Sequence, residues 1–303
     1  MMRRTTALII GALVATLSCY LQALANGEVQ QRPSFESVVT ERPIALAILG
    51  EGLVILGDAG RLQVLTAGDP KPTSIGRIER SLTAVDLAAA RVDGSDWIVV
   101  TIWSPAASET GSRLLRFSKN GQIVDQVFLG HALFTGVAID PASKAIWVAN
   151  GETSEISKVS SLEAKLRLRF FAEVSGASGL GPMALDLSRQ ELFVGDQVHG
   201  RIYAISTRTK RIRRLADNLG EPAALAVDSV RGRLYIADAT RRRIHVISTD
   251  KQPLLSDFAR SLRLREPRGL ALTNDGKLWV ADTENRQLLL ISQEGSLLRT
   301  IQQ

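Results

Sequence analysis

The chain has 303 residues, 45% hydrophobic and 22% charged, with a formal net charge of +6. That is enough for one large domain or two ordinary ones, and the balance is that of a soluble globular protein rather than a disordered or fibrous one. Cys19 is the single cysteine, so a disulfide framework is excluded, and aromatics at 5% give little material for the stacking platforms of RNA-binding proteins.

The first segment reads as separable. Met1-Met2-Arg3-Arg4 is a basic head, an apolar stretch comes next, and Ala23-Leu24-Ala25 is a small-x-small cleavage pattern. This predicts a secretory signal peptide over residues 1–25, a mature chain beginning at Asn26, and a periplasmic or secreted protein with no cysteine left for thiolate or metal chemistry. The alternative is a retained N-terminal membrane anchor, against which Gln22 and the cleavage pattern argue. Residues 26–42 form a lead-in, in which 34–39 read as a strand that helps to close the structure against the last repeat.

From residue 43 onward the chain repeats itself. Two faint copies come first: 44–49 with 53–57, leading into Asp58, and Thr83-Ala84-Val85-Asp86-Leu87 with a second strand at 97–101. Four clear copies come after them, with first strands centred on Ala138, Ala184, Ala226 and Ala271, spaced by 46, 42 and 45 residues. Their second strands end at Asn150, Asp196, Asp238 and Asp282. In the last copy, strands at 268–273, 277–281, 287–292 and 296–301 are separated by Asn274-Asp275-Gly276, 282–286 and Gln293-Glu294-Gly295, which are hairpin signals. A period of about 40–50 residues built from short apolar strands predicts an all-β, six-bladed propeller of four-stranded antiparallel blades over residues 43–303.

Leu278-Trp279-Val280-Ala281-Asp282 followed by Thr283-Glu284-Asn285-Arg286 resembles the NHL repeat, in which a strand ends in Val-Ala-Asp and a turn with Asn and Arg comes next. Asp238 to Ile244 and Asp196 to Ile202 look like further copies, and Glu266-Pro267-Arg268-Gly269-Leu270-Ala271 looks like the repeat's opening. The resemblance implies the fold. It leaves function open, because NHL-like propellers include protein-binding scaffolds and metal-dependent peptidyl-amide lyases, and related six-bladed folds include gluconolactonases.

In such a fold the connections between blades and the turns after each second strand share one face, around the mouth of the central channel. That face is expected to carry Arg42, Arg80, His131, Phe134, Glu221 and Glu266 from the connections, and His199 from a turn. Asp86 stands where the sequence alignment gives the other blades alanine, so it is either a channel-lining ligand or acid, or a hydrogen-bonded structural carboxylate. A metal reading takes Asp86, Asn150, Asp196 and Glu221 as ligands for Ca²⁺ or a similar divalent cation. Against it, an Asp or Asn at a turn binds nearby backbone N–H groups, which accounts for every copy without a ligand. His131, His199 and His245 are not expected to converge on zinc, since His245 falls inside a third strand. Two basic clusters stand out: Arg208, Lys210, Arg211, Arg213 and Arg214, then Arg241-Arg242-Arg243 with Arg263, Arg265 and Arg268. They read as solvated strand edges or as an anion-binding stripe. With no catalytic constellation in view, the leading expectation is an exported binding or scaffolding module for a cell-envelope protein, peptide or glycan. Nucleic acid is not an expected partner. The alternative is a metal-dependent hydrolase or lyase with a cation at the channel mouth.

Overall fold

The computed structural model describes residues 42–105, 110–160, 167–249 and 254–302. The expected signal peptide and cleavage site, Cys19 and the strand expected at 34–39 lie outside the described residues. Among the described residues there are strands and turns, and no helix is long and apolar enough to cross a membrane.

In the described residues twenty-four strands form six four-stranded antiparallel sheets, each built from consecutive strands. Blade one is β1 (Pro43–Leu49), β2 (Gly52–Gly57), β3 (Arg61–Leu65) and β4 (Thr73–Arg77). Blade two is β5 (Thr83–Val92), β6 (Ser95–Ser104), β7 (Gly111–Phe117) and β8 (Ile123–Gly130). Blade three is β9 (Phe134–Asp140), β10 (Ala145–Asn150), β11 (Glu155–Ser160) and β12 (Arg167–Glu173). Blade four is β13 (Leu180–Asp186), β14 (Glu191–Asp196), β15 (Arg201–Ser206) and β16 (Ile212–Ala216). Blade five is β17 (Pro222–Asp228), β18 (Arg233–Asp238), β19 (Arg243–Ser248) and β20 (Leu255–Phe258). Blade six is β21 (Pro267–Leu272), β22 (Leu278–Asp282), β23 (Gln287–Ile291) and β24 (Leu297–Gln302).

The second strands are the most apolar, and each is buried on both faces, which is why they read as unbroken hydrophobic runs rather than alternating ones. Their side chains feed six apolar clusters, one at each blade-to-blade interface. Val148 joins Val99 and Leu114 between blades two and three, and Phe193 joins Leu234 and Ile236 between blades four and five. The outer strands are largely exposed, as in β4 and β24.

The first strands lie side by side around an axis, in the order β1, β5, β9, β13, β17, β21 and back to β1. Among the described residues, blades one and six each take their four strands from consecutive chain, and the two pack side by side. Leu46, Leu53 and Ile55 of blade one pack on Ala271, Trp279 and Leu288 of blade six. Thr283 Oγ1 donates a 2.6 Å hydrogen bond to the Pro43 carbonyl, and Arg299 reaches the Asp69 carbonyl at the rim.

Each first-strand pairing carries a register shift at the same end, between Pro43 and Ala45, Ala84 and Asp86, Leu180 and Met183, Pro222 and Ala224, and Pro267 and Gly269, with the blade-three shift recorded between Ala149 and Asn150. Such bulges bend the strand and re-aim the side chains beyond them. Six first strands also crowd the axis, so small residues occupy it. A methyl group added at Gly136 would fall on the Gly181 carbonyl of the next blade. Gly136→Ala is therefore expected to destabilise the protein by at least ~2 kcal/mol through overpacking, read as a lower denaturant midpoint with an unchanged slope; a midpoint equal to that of wild type would show that the inner ring is looser than described.

Candidate functional site: the channel mouth

The face formed by the interblade connections and the turns after the second strands is organised by carboxylates. Asp282, fully buried at the end of β22, accepts the backbone N–H groups of Arg265 and Glu266 at 3.0 and 2.9 Å. It also accepts the side-chain amides of Asn285 and Gln287 at 2.6 and 3.0 Å. Asp238 does the same one blade earlier, taking Gly220 N–H at 2.7 Å, Glu221 N–H at 3.2 Å and Arg241 N–H at 2.9 Å. Burial would raise its pKa; hydrogen bonds from His245, Arg241 and Gly220 outweigh that and hold it below the usual carboxylate range. Asp196 accepts Val198 and His199 N–H at 3.2 and 3.1 Å, and Asn150 accepts Glu152 and Thr153 N–H at 2.9 and 3.2 Å. In blade one, Asp58 binds the Arg42 backbone and pairs with its guanidinium at 2.7 Å. Hydrogen bonds thus engage every one of these side chains: Asn150 and Asp196 hold the turn that follows them, Asp58 and Asp282 hold the backbone of the incoming connection, and Asp238 holds both.

By pinning the connections, these acids position the charged groups at the mouth. Arg268 sits in the bulge at the start of β21 and lines the channel. Its Nε lies 2.7 Å from Glu266 Oε1 and its Nη1 3.1 Å from Glu221 Oε1. Desolvation works against the guanidinium charge, but the two carboxylates outweigh it and hold its pKa above the ordinary arginine value. Below this clamp the channel is a cavity of ≈ 270 Å³ with walls of Ala, Leu, Ile and Val, and Asp86 is the acid on its wall.

Asp86 comes directly after the bulge in β5. Its register, opposite Thr101, matches Ala45 opposite Leu56, Gly136 opposite Ala149, Ala224 opposite Ala237 and Gly269 opposite Ala281. The sequence alignment sets it two residues later in the repeat. A two-residue slip keeps a side chain on its face, so the contrast with small residues survives the correction. The carboxylate accepts its own strand's Leu87 N–H at 2.8 Å and, across the blade boundary, Val137 N–H of β9 at 3.0 Å. Its side chain keeps some contact with the channel space, yet six strands surround it. Desolvation dominates over the two N–H bonds and pushes the pKa up to about 7.

The remaining expected residues are dispersed. Phe134 does not reach the face: it is 4% exposed and packs in the core between blades two and three, because its bulged start turns it inward. Arg80 is exposed on the connection between blades one and two. His131 is exposed, with Nδ1 2.8 Å from the Thr110 carbonyl and its ring edge-on to Phe128. His199 holds to Asp196 at 2.9 Å. His245 is buried in β19, with Nε2 3.3 Å from Asp238 and Nδ1 3.1 Å from Asp257, the latter contact not aligned as a hydrogen bond. The four proposed metal ligands are not brought together. Asn150 and Asp196 are engaged in separate turns, Glu221 faces Arg268, and Asp86 holds two backbone N–H groups. Among the described residues no group of three or more His, Cys, Asp or Glu side chains is arranged to hold a metal ion. This donor set does not fit a divalent cation.

Sequence reading missed a second set of turn acids at the opposite end of the blades. Asp186 and Asp228, at the ends of β13 and β17, each accept the backbone N–H and the guanidinium of an arginine three residues on, Arg189 and Arg231. The repeated Asp-x-x-Arg spacing was a readable signal. It also missed the Asp238–His245–Asp257 line, for which no local spacing exists.

Residues 172–303 match the SMP-30/Gluconolactonase/LRE-like region. No curated protein sequence matches the chain. The fold is shared with nidogen in a nidogen/laminin complex, at 16% identity and TM-score 0.69, over 83% of this chain and 93% of that one. The chain is a six-bladed β-propeller. A catalytically inactive virginiamycin B lyase from Staphylococcus aureus with quinupristin is similar at 12% identity and TM-score 0.61, over 90% and 87% of the two chains. The PQQ-bound aldose sugar dehydrogenase from Streptomyces coelicolor is similar at 16% identity and TM-score 0.63, over 81% and 90%. At these identities the likeness is one of fold, and it spans binding proteins and enzymes alike.

The raised pKa of Asp86 has a signed consequence for this propeller. Its ordinary value is 3.8 and its folded value about 7, so the fold favours the protonated acid. The contribution to stability is full below pH ~4, is lost as pH rises through about 7, and is flat beyond. Asp86→Asn cannot ionise, and its amide nitrogen cannot accept the second N–H. The variant is expected to melt below wild type at pH 5, with the gap narrowing or inverting at pH 8.5. An equal gap at both pH values would show that Asp86 does not titrate between them.

Proposed function

We propose that this chain is an exported recognition propeller whose channel-mouth face engages a protein or peptide of the cell envelope. One observation carries the reading: Asp58, Asn150, Asp196, Asp238 and Asp282 are engaged in holding turns and connections, and Glu221 and Glu266 in holding Arg268. What the face offers outward is a rigid array of exposed side chains, among them Arg42, Arg80, His131, His199 and Arg241. Loops fixed on a stiff scaffold are where recognition is usually placed. The nidogen likeness supports the reading at the level of fold. The exported location rests on the N-terminal leader pattern, and a glycan in place of a protein is an outcome the experiment separates.

Tagged protein passed over envelope extract should retain a protease-sensitive partner, and a triple Arg42→Ala, His131→Ala, His199→Ala variant should retain less. Equal capture by both would place recognition elsewhere, and a captured species that survives protease but not glycosidase would be a glycan. A metal-dependent hydrolase or lyase makes a different forecast. Because the donor set is committed internally, EDTA is expected to move the melting temperature by no more than about a degree. A loss of several degrees, restored by Ca²⁺, would revive the metal reading.

A further inference from the structure

The arginines of blades five and six converge on a feature that neither turn chemistry nor the channel uses. The connection from β20 to β21 runs inward across the mouth face, and it carries Arg260, Arg263, Arg265 and finally Arg268 at the channel. Beside it, the turn into β19 carries Arg241, Arg242 and Arg243. Seven arginines on these two segments stand against five carboxylates, Glu221, Asp238, Asp257, Glu266 and Asp282, of which Asp238 and Asp282 are fully buried. Arg242, Arg263 and Arg265 are exposed and make no ion pair among the described residues.

Between the start of β19 and the end of β20 lies a cleft of ≈ 230 Å³. Ile244, Phe258, Leu262 and Leu264 give it apolar walls, and Arg242, Arg243 and Arg260 rim it. The Phe258 ring is held edge-on to Tyr235, with centroids 5.0 Å apart, so this wall is preformed. Asp257 is the single acid of the rim. It pairs with Arg243 at 2.7 Å and stands 4.0 Å from Arg260, and one carboxylate cannot neutralise three guanidinium groups. Drug-sized ligands fill ~300–1,000 Å³, so a cavity of this size suits one large side chain.

We propose that this cleft seats a single aliphatic or aromatic side chain of an acidic peptide segment, whose carboxylates pair with Arg242, Arg243 and Arg260. The inference rests on the recognition reading above and names the partner's chemistry. Charge complementarity selects an anion, because guanidinium groups match carboxylates in bidentate geometry. The apolar walls select a peptide, since a uronate or sulfated polysaccharide has no hydrocarbon side chain to bury. The expected energetics match the usual interface pattern, with one buried apolar anchor and a charged rim that sets orientation and association rate.

The test uses the full chain and a fluorescein-labelled peptide with one phenylalanine between two pairs of acidic residues. Fluorescence anisotropy should show salt-sensitive binding, with the serine-for-phenylalanine peptide bound much more weakly. The double variant Arg242→Ser, Arg260→Ser should lose about tenfold in affinity. The variant Arg208→Ser, Arg211→Ser removes the same charge from exposed positions at blade four and should change affinity by no more than about twofold. All substituted positions are on the surface, so folding is preserved and is checked by melting. Several results overturn the proposal: no binding, equal affinity for the serine peptide or polyglutamate, equal loss in both double variants, or binding confined to phosphatidylglycerol vesicles. The two proposals fail separately. If an envelope partner is lost by the Arg42, His131, His199 variant but kept by the Arg242, Arg260 variant, the face recognises its partner without this cleft. If no partner is captured and the peptide still binds the cleft, the recognition reading fails alone.

Discussion

The mouth of the propeller depends on one interaction repeated in blades one, five and six: a carboxylate at the end of a second strand that binds the backbone of the connection entering the same blade. Asp282 takes Arg265 and Glu266 N–H, Asp238 takes Gly220 and Glu221 N–H, and Asp58 takes Arg42 N–H. Strand ends buried near the channel mouth leave donors that water reaches poorly, and an orphaned buried N–H costs ~1–3 kcal/mol. One short acid satisfies two or three of them at once. It also fixes where the connection turns, and so where Glu221 and Glu266 stand to hold Arg268. The chemistry of the mouth is thus downstream of a structural device.

Stability is spread over interfaces. Each of the six apolar clusters belongs to two neighbouring blades, so a blade has no core of its own and the ring must close to bury its end faces. Closure between blades six and one uses the same kind of packing as the other five interfaces, reinforced by Thr283 and Arg299. Asp86 is a local exception to the apolar inner ring. It ties β5 to β9 through Val137 N–H, at the cost of a carboxylate that resists ionisation.

On the proposed recognition reading, the face presents turn-holding acids and outward cations. The charge is uneven: the arginines concentrate on blades five and six, where an apolar cleft interrupts them. A uniform basic surface would hold any polyanion, whereas a cation rim around a hydrocarbon wall distinguishes a peptide from a polysaccharide. On this view specificity comes from the juxtaposition of the two, which the fold creates by laying the β20–β21 connection beside the turn into β19.

The repeat spacing, the hydrophobic runs and the hairpin signals determined the blades, including the two faint ones, because strand period and turn chemistry are local properties of sequence. The local half of the acids' role was legible for the same reason, since Asn150, Asp196 and Asp238 meet backbone N–H groups two or three residues on, whereas the bonds of Asp58, Asp238 and Asp282 to connections 16–18 residues away were not. Phe134, the register of Asp86 and the scattering of the proposed metal ligands were not. Bulges shift register without leaving a mark in composition, and whether side chains from different blades meet depends on how the ring closes. The Arg268 clamp, the buried His245 between Asp238 and Asp257, and the cleft behind Arg242 and Arg260 join residues as far as 47 positions apart in the chain. Only tertiary structure decided them, because such contacts are set by packing between strands and blades and not by any spacing along the sequence.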